Sequence, residues 1–273
     1  MCVAYSFNSA RGWLSRAAVV GLAVAAASLG GCVELGDPPD QAAAATQAPA
    51  VGSDQWRTYV AEWGKRYDQS PGDKTASINY ARGLRALTRY SEAAAVMRSA
   101  AVESPQDFEV LGEYGKALAD SGELAQAKDV LTRAYPEDRP DWTIMSVQGA
   151  VEDELGDHEG ARGFYAEALK IAPGEPFLLN NLGLSYALTK QLPQAEATLR
   201  EANASPHADE RVRNNLALVL SLEGKYAQAE DISRQNMSDD AARANVKAIR
   251  QMIASRGAAS ALKSSPQPAV ATE

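Results

Sequence analysis

Small residues recur at a fixed step through most of this chain. Ala81, Gly115, Gly149, Gly183 and Ala217 are each 34 residues from the next, and Ala93, Ala127, Ala161, Ala195 and Ala229 follow 12 residues behind at the same step. Two ladders in register mean an internal repeat, and a repeat of this length holds two antiparallel helices of about 12 to 14 residues with short turns. Where two such helices cross most closely, only Gly or Ala lets the backbones approach, and larger side chains then fill the grooves beside the crossing. A unit of this size cannot bury its apolar face alone. It must stack on its neighbours, which constrains the chain to an all-α solenoid.

With the first ladder set as position 8 of each unit, position 7 reads Tyr80, Tyr114, Gln148, Leu182 and Leu216. Position 24 reads Met97, Leu131, Tyr165, Leu199 and Ser233, and position 27 reads Ala100, Ala134, Ala168, Ala202 and Asn236. Gly122, Gly156 and Gly224 fall at position 15, where the first helix ends and a left-handed C-cap is wanted. Pro105 and Pro173 fall at position 32 and close the second helix. This resembles the tetratricopeptide repeat (TPR), with small residues at 8, 20 and 27, apolar ones at 4, 7, 11 and 24, and Pro at 32. The resemblance implies a TPR α-solenoid, a right-handed superhelix of helix-turn-helix repeats, over residues 53–256, with repeats at about 74–107, 108–141, 142–175, 176–209 and 210–241.

Both ends of the array are expected to be capped. Asp54 to Gln69, with Trp56, Tyr59, Val60, Trp63 and Tyr67, reads as an extra helix packing on repeat one. At the other end Val246, Ile249, Met252 and Ile253 form an apolar stripe on a helix that starts after Ser238 and covers repeat five. Repeat three departs from the pattern. Gln148 and Glu152 occupy positions 7 and 11, and Ile144, Val147, Val151 and Leu155 make a stripe turned by about one residue. Pro136 and Pro140 stretch the turn before it. A slightly rotated helix or a hinge would each account for this.

Arg11 and Arg16 precede thirteen uncharged residues, Ala17 to Leu29, a run too short to span a bilayer and suited to a signal-peptide core. Leu29-Gly30-Gly31-Cys32 then looks like the bacterial lipobox, in which the Cys thiol receives the diacylglyceryl lipid. On that reading residues 1–31 are a lipoprotein signal peptide cleaved after Gly31, and Cys32 is lipidated. An ordinary signal peptide that happens to contain a Cys, or a membrane helix, are the competing readings. Residue 33 is Val rather than Asp, so the inner-membrane retention signal of such lipoproteins is missing and the expected destination is the periplasmic face of the outer membrane. Residues 32–52 are rich in Ala, Pro and Gln and read as a flexible linker reaching on the order of 25 Å. Residues 257–273 read as a disordered tail.

The formal charge is −8, and losing Arg11 and Arg16 with the leader gives −8 − 2 = −10. An acidic chain without a basic run is no candidate for nucleic-acid binding. Of its two cysteines, Cys2 leaves with the leader and Cys32 carries lipid, which excludes a disulfide or a Cys-based metal site in the mature chain. His158-Glu159 begins like a zinc-protease motif, but Arg162 stands where the second His belongs. There is no phosphate-cradling loop and no nucleophile elbow. The sequence therefore gives no catalytic residues, metal site, cofactor or small-molecule substrate, and points to a non-enzyme whose partners are proteins and, through its anchor, a membrane.

In TPR proteins the first helix of each unit lines a groove, with positions 2, 5, 9, 12 and 13 facing it. The resemblance places Arg82, Arg85 and Lys116 there in repeats one and two, Asn180, Leu184 and Leu188 in repeat four, and Asn214, Leu218 and Leu222 in repeat five. Asparagines can bond a peptide backbone and leucines can give it apolar pockets. The cations imply an acidic stretch in the partner. The Lys/Asn carboxylate clamp of chaperone-binding TPRs is missing, because position 9 reads Arg82, Lys116, Ala150, Leu184 and Leu218. Leu218 and Leu222 could instead lie under the capping helix.

The last repeat, Arg211 to Glu230, with a following helix that carries Asn245-Val246 and Ile249 to Met252, is similar to TadD, the TPR lipoprotein of the Tad (tight adherence, Flp pilus) system. Tyr80 to Leu87 followed by Tyr90-Ser-Glu-Ala-Ala in repeat one looks similar too. The resemblance implies an outer-membrane scaffold that assists assembly of the Tad/Flp secretion apparatus and its secretin channel, with Cys32 as the residue carried over. A general TPR lipoprotein adaptor, serving outer-membrane protein assembly or cell-wall machinery, is the alternative.

Overall fold

In a computed structural model, residues 55–264 are described. The leader, Gly31, Cys32 and the linker lie outside them, as do residues 265–273. The described residues form twelve α-helices and no strand. Their contacts divide the chain into two compact units at Pro136–Glu137, within the Pro136–Pro140 turn.

In residues 55–136 the helices are α1 (Gln55–Gln69), α2 (Lys74–Ala86), α3 (Tyr90–Glu103), α4 (Phe108–Ser121) and α5 (Leu124–Leu131). Each packs on its sequence neighbour, and α2 also packs on α4. In residues 137–264 they are α6 (Trp142–Leu155), α7 (His158–Ile171), α8 (Pro176–Leu188), α9 (Leu192–Ala204), α10 (Glu210–Leu222), α11 (Tyr226–Ser233) and α12 (Asp239–Ser264). Neighbours again pack in order, α8 touches both α6 and α10, and α12 lies on α10 and α11. This chain-local pattern is that of a TPR α-solenoid, the fold class that the ladders imply. No helix of the described residues is long and apolar enough to cross a membrane.

The first helices of the five repeats begin at Lys74, Phe108, Trp142, Pro176 and Glu210, again 34 apart. The residue before each is an acid, Asp73, Asp107, Asp141, Glu175 and Asp209, and each carboxylate accepts a hydrogen bond from the first turn's backbone N–H groups. These caps satisfy donors that have no partner within the helix, and they place negative charge at the positive end of its dipole. At the crossings, an added Cβ on Gly115 would lie 2.5 Å from Leu131 Cγ, on Gly149 2.6 Å from Tyr165 Cε1, and on Gly183 2.7 Å from Leu199 Cγ. Position 8 thus meets position 24. For Gly183 the Ala195 carbonyl comes next, at 3.4 Å.

Helix α1 buries Trp56, Tyr59, Val60, Trp63 and Gly64 on one stripe. Gly83 of α2 gives it room, since a Cβ there would stand 2.7 Å from Val60 Cγ2. On α12, Ala242 and Val246 are buried, while Ile249, Met252 and Ile253 are half-buried. That helix continues to Ser264, so Gly257 to Ser264 are helical where a disordered tail was expected. Ala258, Ala259, Ala261 and Leu262 are strong helix formers, and the helix stops two residues short of Pro266.

The rotated stripe expected in repeat three is corrected. Ile144, Val147 and Val151 are buried, but so are Gln148 and Glu152, each 5% exposed, whereas Leu155 is 46% exposed. Seven consecutive residues, Ser146 to Glu152, are buried, so the middle of α6 is enclosed around its circumference instead of being turned. Apolar patterning cannot reveal a helix that buries polar side chains on the remaining face.

Position 15 is left-handed in every repeat. Gly122, Gly156 and Gly224 have φ of 84°, 92° and 77°, and Thr88 and Lys190 have φ of 61° in the equivalent places. A β-branched residue is strained there, by about 1 kcal/mol or more. Thr88→Gly should therefore raise the melting temperature, by about 1 kcal/mol of added stability, and Lys190→Gly by less. Thermal melts that show Thr88→Gly unchanged or less stable would contradict the cap geometry.

Candidate functional site

Sequence reasoning placed Arg82, Arg85 and Lys116 on an open basic face. The structure corrects this: they are the cationic half of an ion network between α2 and α4. Arg82 Nη2 lies 3.0 Å from Glu113 Oε1, Lys116 Nζ lies 3.1 Å from the same oxygen, and Arg85 Nη1 lies 3.6 Å from Glu113 Oε2. Arg85 Nε also donates to Asp120 Oδ2 at 2.5 Å. Further along, Lys74 bonds Asp107 at 2.8 Å and Glu109 at 3.0 Å, and Arg82 reaches Glu109 at 3.7 Å. Four cations meet four carboxylates, and no excess positive charge remains for an acidic partner. Glu113 is 4% exposed and Lys116 7%, so neither is a surface group. Burial alone would raise the Glu113 carboxyl; Lys116, then Arg82 and Arg85, overcome it and hold the group at about 2. At Asp120 burial prevails over Arg85 and the carboxyl is raised.

The second half of the expected site is a face of α6, α8 and α10. Asn215 Nδ2 donates to Asn180 Oδ1 at 2.8 Å, Asn180 Nδ2 to Asn181 Oδ1 at 3.4 Å, and Asn181 Nδ2 to Ser146 Oγ at 3.2 Å. This amide ladder joins all three helices. Asn180 is buried and has both ends of its amide engaged, so it is a tie between repeats and not a free contact for a peptide. Asn214 is half-buried, and no bond from its side chain is found among the described residues. Leu184, Leu188, Leu218 and Leu222 are all half-buried. The core cluster that Val246 of α12 joins holds Leu216, Val219 and Leu220 and leaves Leu218 and Leu222 out. The capping helix therefore closes a different side of α10. What remains is a row of four leucines with Asn214 beside them, on a base fixed by the amide ladder.

One further polar cluster sits where α6, α7 and α8 meet. Asp153 Oδ1 lies 2.8 Å from His158 Nδ1 and accepts from Ser185 Oγ at 2.8 Å, and Asp153 Oδ2 accepts from Tyr165 OH at 3.2 Å. Burial raises the Asp153 carboxyl in spite of these bonds, and burial, then Asp153, raises the Tyr165 hydroxyl. Ser185 is fully buried and donates its hydroxyl hydrogen bond to the carboxylate, which ties α8 to α6. Among the described residues no group of three or more His, Cys, Asp or Glu could hold a metal.

Sequence reasoning missed Glu113, Asp120, Asp153 and Ser185 as partners across helices. Their signal is a spacing: Arg82–Glu113 are 31 apart, Arg85–Asp120, Asn180–Asn215 and Ser146–Asn181 are 35 apart, and Asp153–Ser185 are 32 apart. One repeat plus or minus a few residues brings side chains of adjacent first helices together.

Residues 84–144 match the tetratricopeptide repeat family. No curated protein matches the sequence. Solved structures of similar fold include the Cut9–Hcn1 hetero-tetramer of APC/C, with TM-score 0.60 and 17% identity over 74% of this chain and 40% of that one. Human IFIT1, solved as a dimer with m7Gppp-AAAA, has TM-score 0.57 and 17% identity over 67% of this chain and 46% of that one. PilW, a type IV pilus biogenesis factor, has TM-score 0.58 and 16% identity over 66% of this chain and 86% of that one. The chain thus spans less than half the length of Cut9–Hcn1 and IFIT1 chains. At these identities the likeness is one of fold, a helical repeat.

Glu113→Gln would leave the buried Lys116 without the carboxylate it shares with Arg82 and Arg85, at an expected cost of about 3 to 5 kcal/mol. Glu113 ionises at about 2 in the folded chain against 4.5 ordinarily, so its contribution is complete above pH 4.5 and is lost as pH falls toward 2. The stability gap between wild type and Glu113→Gln, followed by urea denaturation, should be widest at neutral pH and close through that acid window. A gap independent of pH would show that the carboxylate's charge is not what matters.

Proposed function

We propose that the chain is a non-enzymatic lipoprotein scaffold of the bacterial outer membrane that binds partner proteins on the α6–α8–α10 face and assists assembly of a Tad/Flp pilus apparatus, its secretin in particular. The observation that carries the binding reading is the leucine row Leu184, Leu188, Leu218 and Leu222. It lies on adjacent first helices, half-exposed, with Asn214 available to a peptide backbone. Half-buried leucines on a rigid base offer apolar pockets, and a side-chain amide can pair with an extended chain's N–H and C=O groups. With Arg82, Arg85 and Lys116 consumed by internal ion pairs, the partner segment needs no acidic stretch.

The anchor rests on Leu29-Gly30-Gly31-Cys32 and the outer-membrane address on Val33. The pilus assignment rests on the TadD-like residues of repeats one and five. PilW shows that the fold serves a pilus biogenesis factor elsewhere, and its 16% identity carries no more than fold.

Two substitutions test the two halves of the reading. Cys32→Ser should abolish labelling by a fatty acid and release the protein from membranes, since stable anchoring takes more than one acyl chain. Leu184→Asp and Leu218→Asp should each lower recovery of the secretin from detergent-solubilised membranes about tenfold or more, as for any contact worth ~1.4 kcal/mol or more. Circular dichroism establishes that the variants remain folded. Undiminished recovery with both Leu variants would move the binding surface elsewhere, and equal labelling of wild type and Cys32→Ser would remove the anchor.

A further inference from the structure

The contact between α2 and α4 holds a group that peptide binding on the leucine face does not use. Glu113 places one carboxylate oxygen 3.0 Å from Arg82 Nη2 and 3.1 Å from Lys116 Nζ, and the other 3.6 Å from Arg85 Nη1. The donors come from two helices and meet the two oxygens separately, which suits a carboxylate better than a spherical anion. They are also held from outside. Asp120 takes Arg85 Nε at 2.5 Å and Glu109 faces Arg82 at 3.7 Å, so each guanidinium group has a second carboxylate besides Glu113. Side-chain exposures of 5% for Glu113, 9% for Lys116 and 12% for Arg85 put the cluster in a low-dielectric setting, where such contacts are strong.

We infer that Arg82, Arg85 and Lys116 form a carboxylate-binding site between the first helices of repeats one and two, and that Glu113 is its built-in occupant, closing the site to acidic segments of other proteins. The cations meet the two carboxylate oxygens of Glu113, and its terminal CH2–COO⁻ is acetate in outline. A site that is made by its cations, and not by the Glu113 backbone, should accept the same fragment from solution once Glu113 is shortened.

The test is thermal melting of the full chain in mild detergent at neutral pH, with sodium acetate against sodium chloride at equal ionic strength. Wild type should melt alike in both salts. Glu113→Ala should melt lower and recover saturably with acetate and not with chloride, and adding Arg85→Gln should weaken that recovery. If Glu113→Ala is unfolded in chloride, return of its helical circular dichroism in acetate alone supports the site equally. A variant that responds to acetate and chloride alike, or that stays unfolded in both, overturns the inference, as does an acetate response of the same size in wild type.

Discussion

The close approach of the paired helices at position 8 is the constraint on which the other contacts depend. Gly115, Gly149 and Gly183 have no room for a side chain because Leu131, Tyr165 and Leu199 already occupy it. That contact fixes how the two helices of a repeat cross. The crossing in turn sets which residues of the first helix face the next repeat. The acidic caps and left-handed position 15 serve the same end, since they fix where each helix starts and stops. With the backbone so placed, polar side chains on neighbouring first helices can meet at hydrogen-bonding distance.

Those meetings follow one rule with different outcomes. A buried carboxylate is costly unless charge or hydrogen bonds repay the lost water. Glu113 has three cations around it and stays ionised far into acid, whereas Asp153 has a histidine, a serine and a tyrosine, and burial prevails. Asn180 and Asn181 avoid the problem by being neutral, each engaged with its neighbour. The leucines beside them remain partly exposed on the same helices.

Much of the fold was legible in the sequence because it is dictated by small residues at a fixed step. The glycines at position 15 were read correctly, while Thr88 and Lys190 were not recognised as left-handed because neither residue type signals it. Gln148, Glu152 and Leu155 misled, since an apolar stripe says nothing about polar groups that are buried with partners. The leucine row was legible as positions on a helix face. The basic face was not, because a repeat-by-repeat reading counts Arg82, Arg85 and Lys116 without the carboxylates that stand 31 and 35 residues from the arginines. Pairing positions across one repeat length would have found Glu113 and Asp120.

The same polar contacts give the array a directional order that its backbone lacks. As helices, the units are nearly interchangeable: each starts at the same register and crosses at the same place. Their facing side chains are not. Position 6 is Glu113 in repeat two, Asn181 in four and Asn215 in five, and these meet Arg82, Ser146 and Asn180 of the preceding repeat, whereas repeat three has Val147 at that position. Excising repeat two would leave the helical register intact and set Arg82 against Val147, a cation against a hydrocarbon. Moving a single repeat would therefore keep its geometry and break its polar pairing, whereas moving a matched pair would keep both.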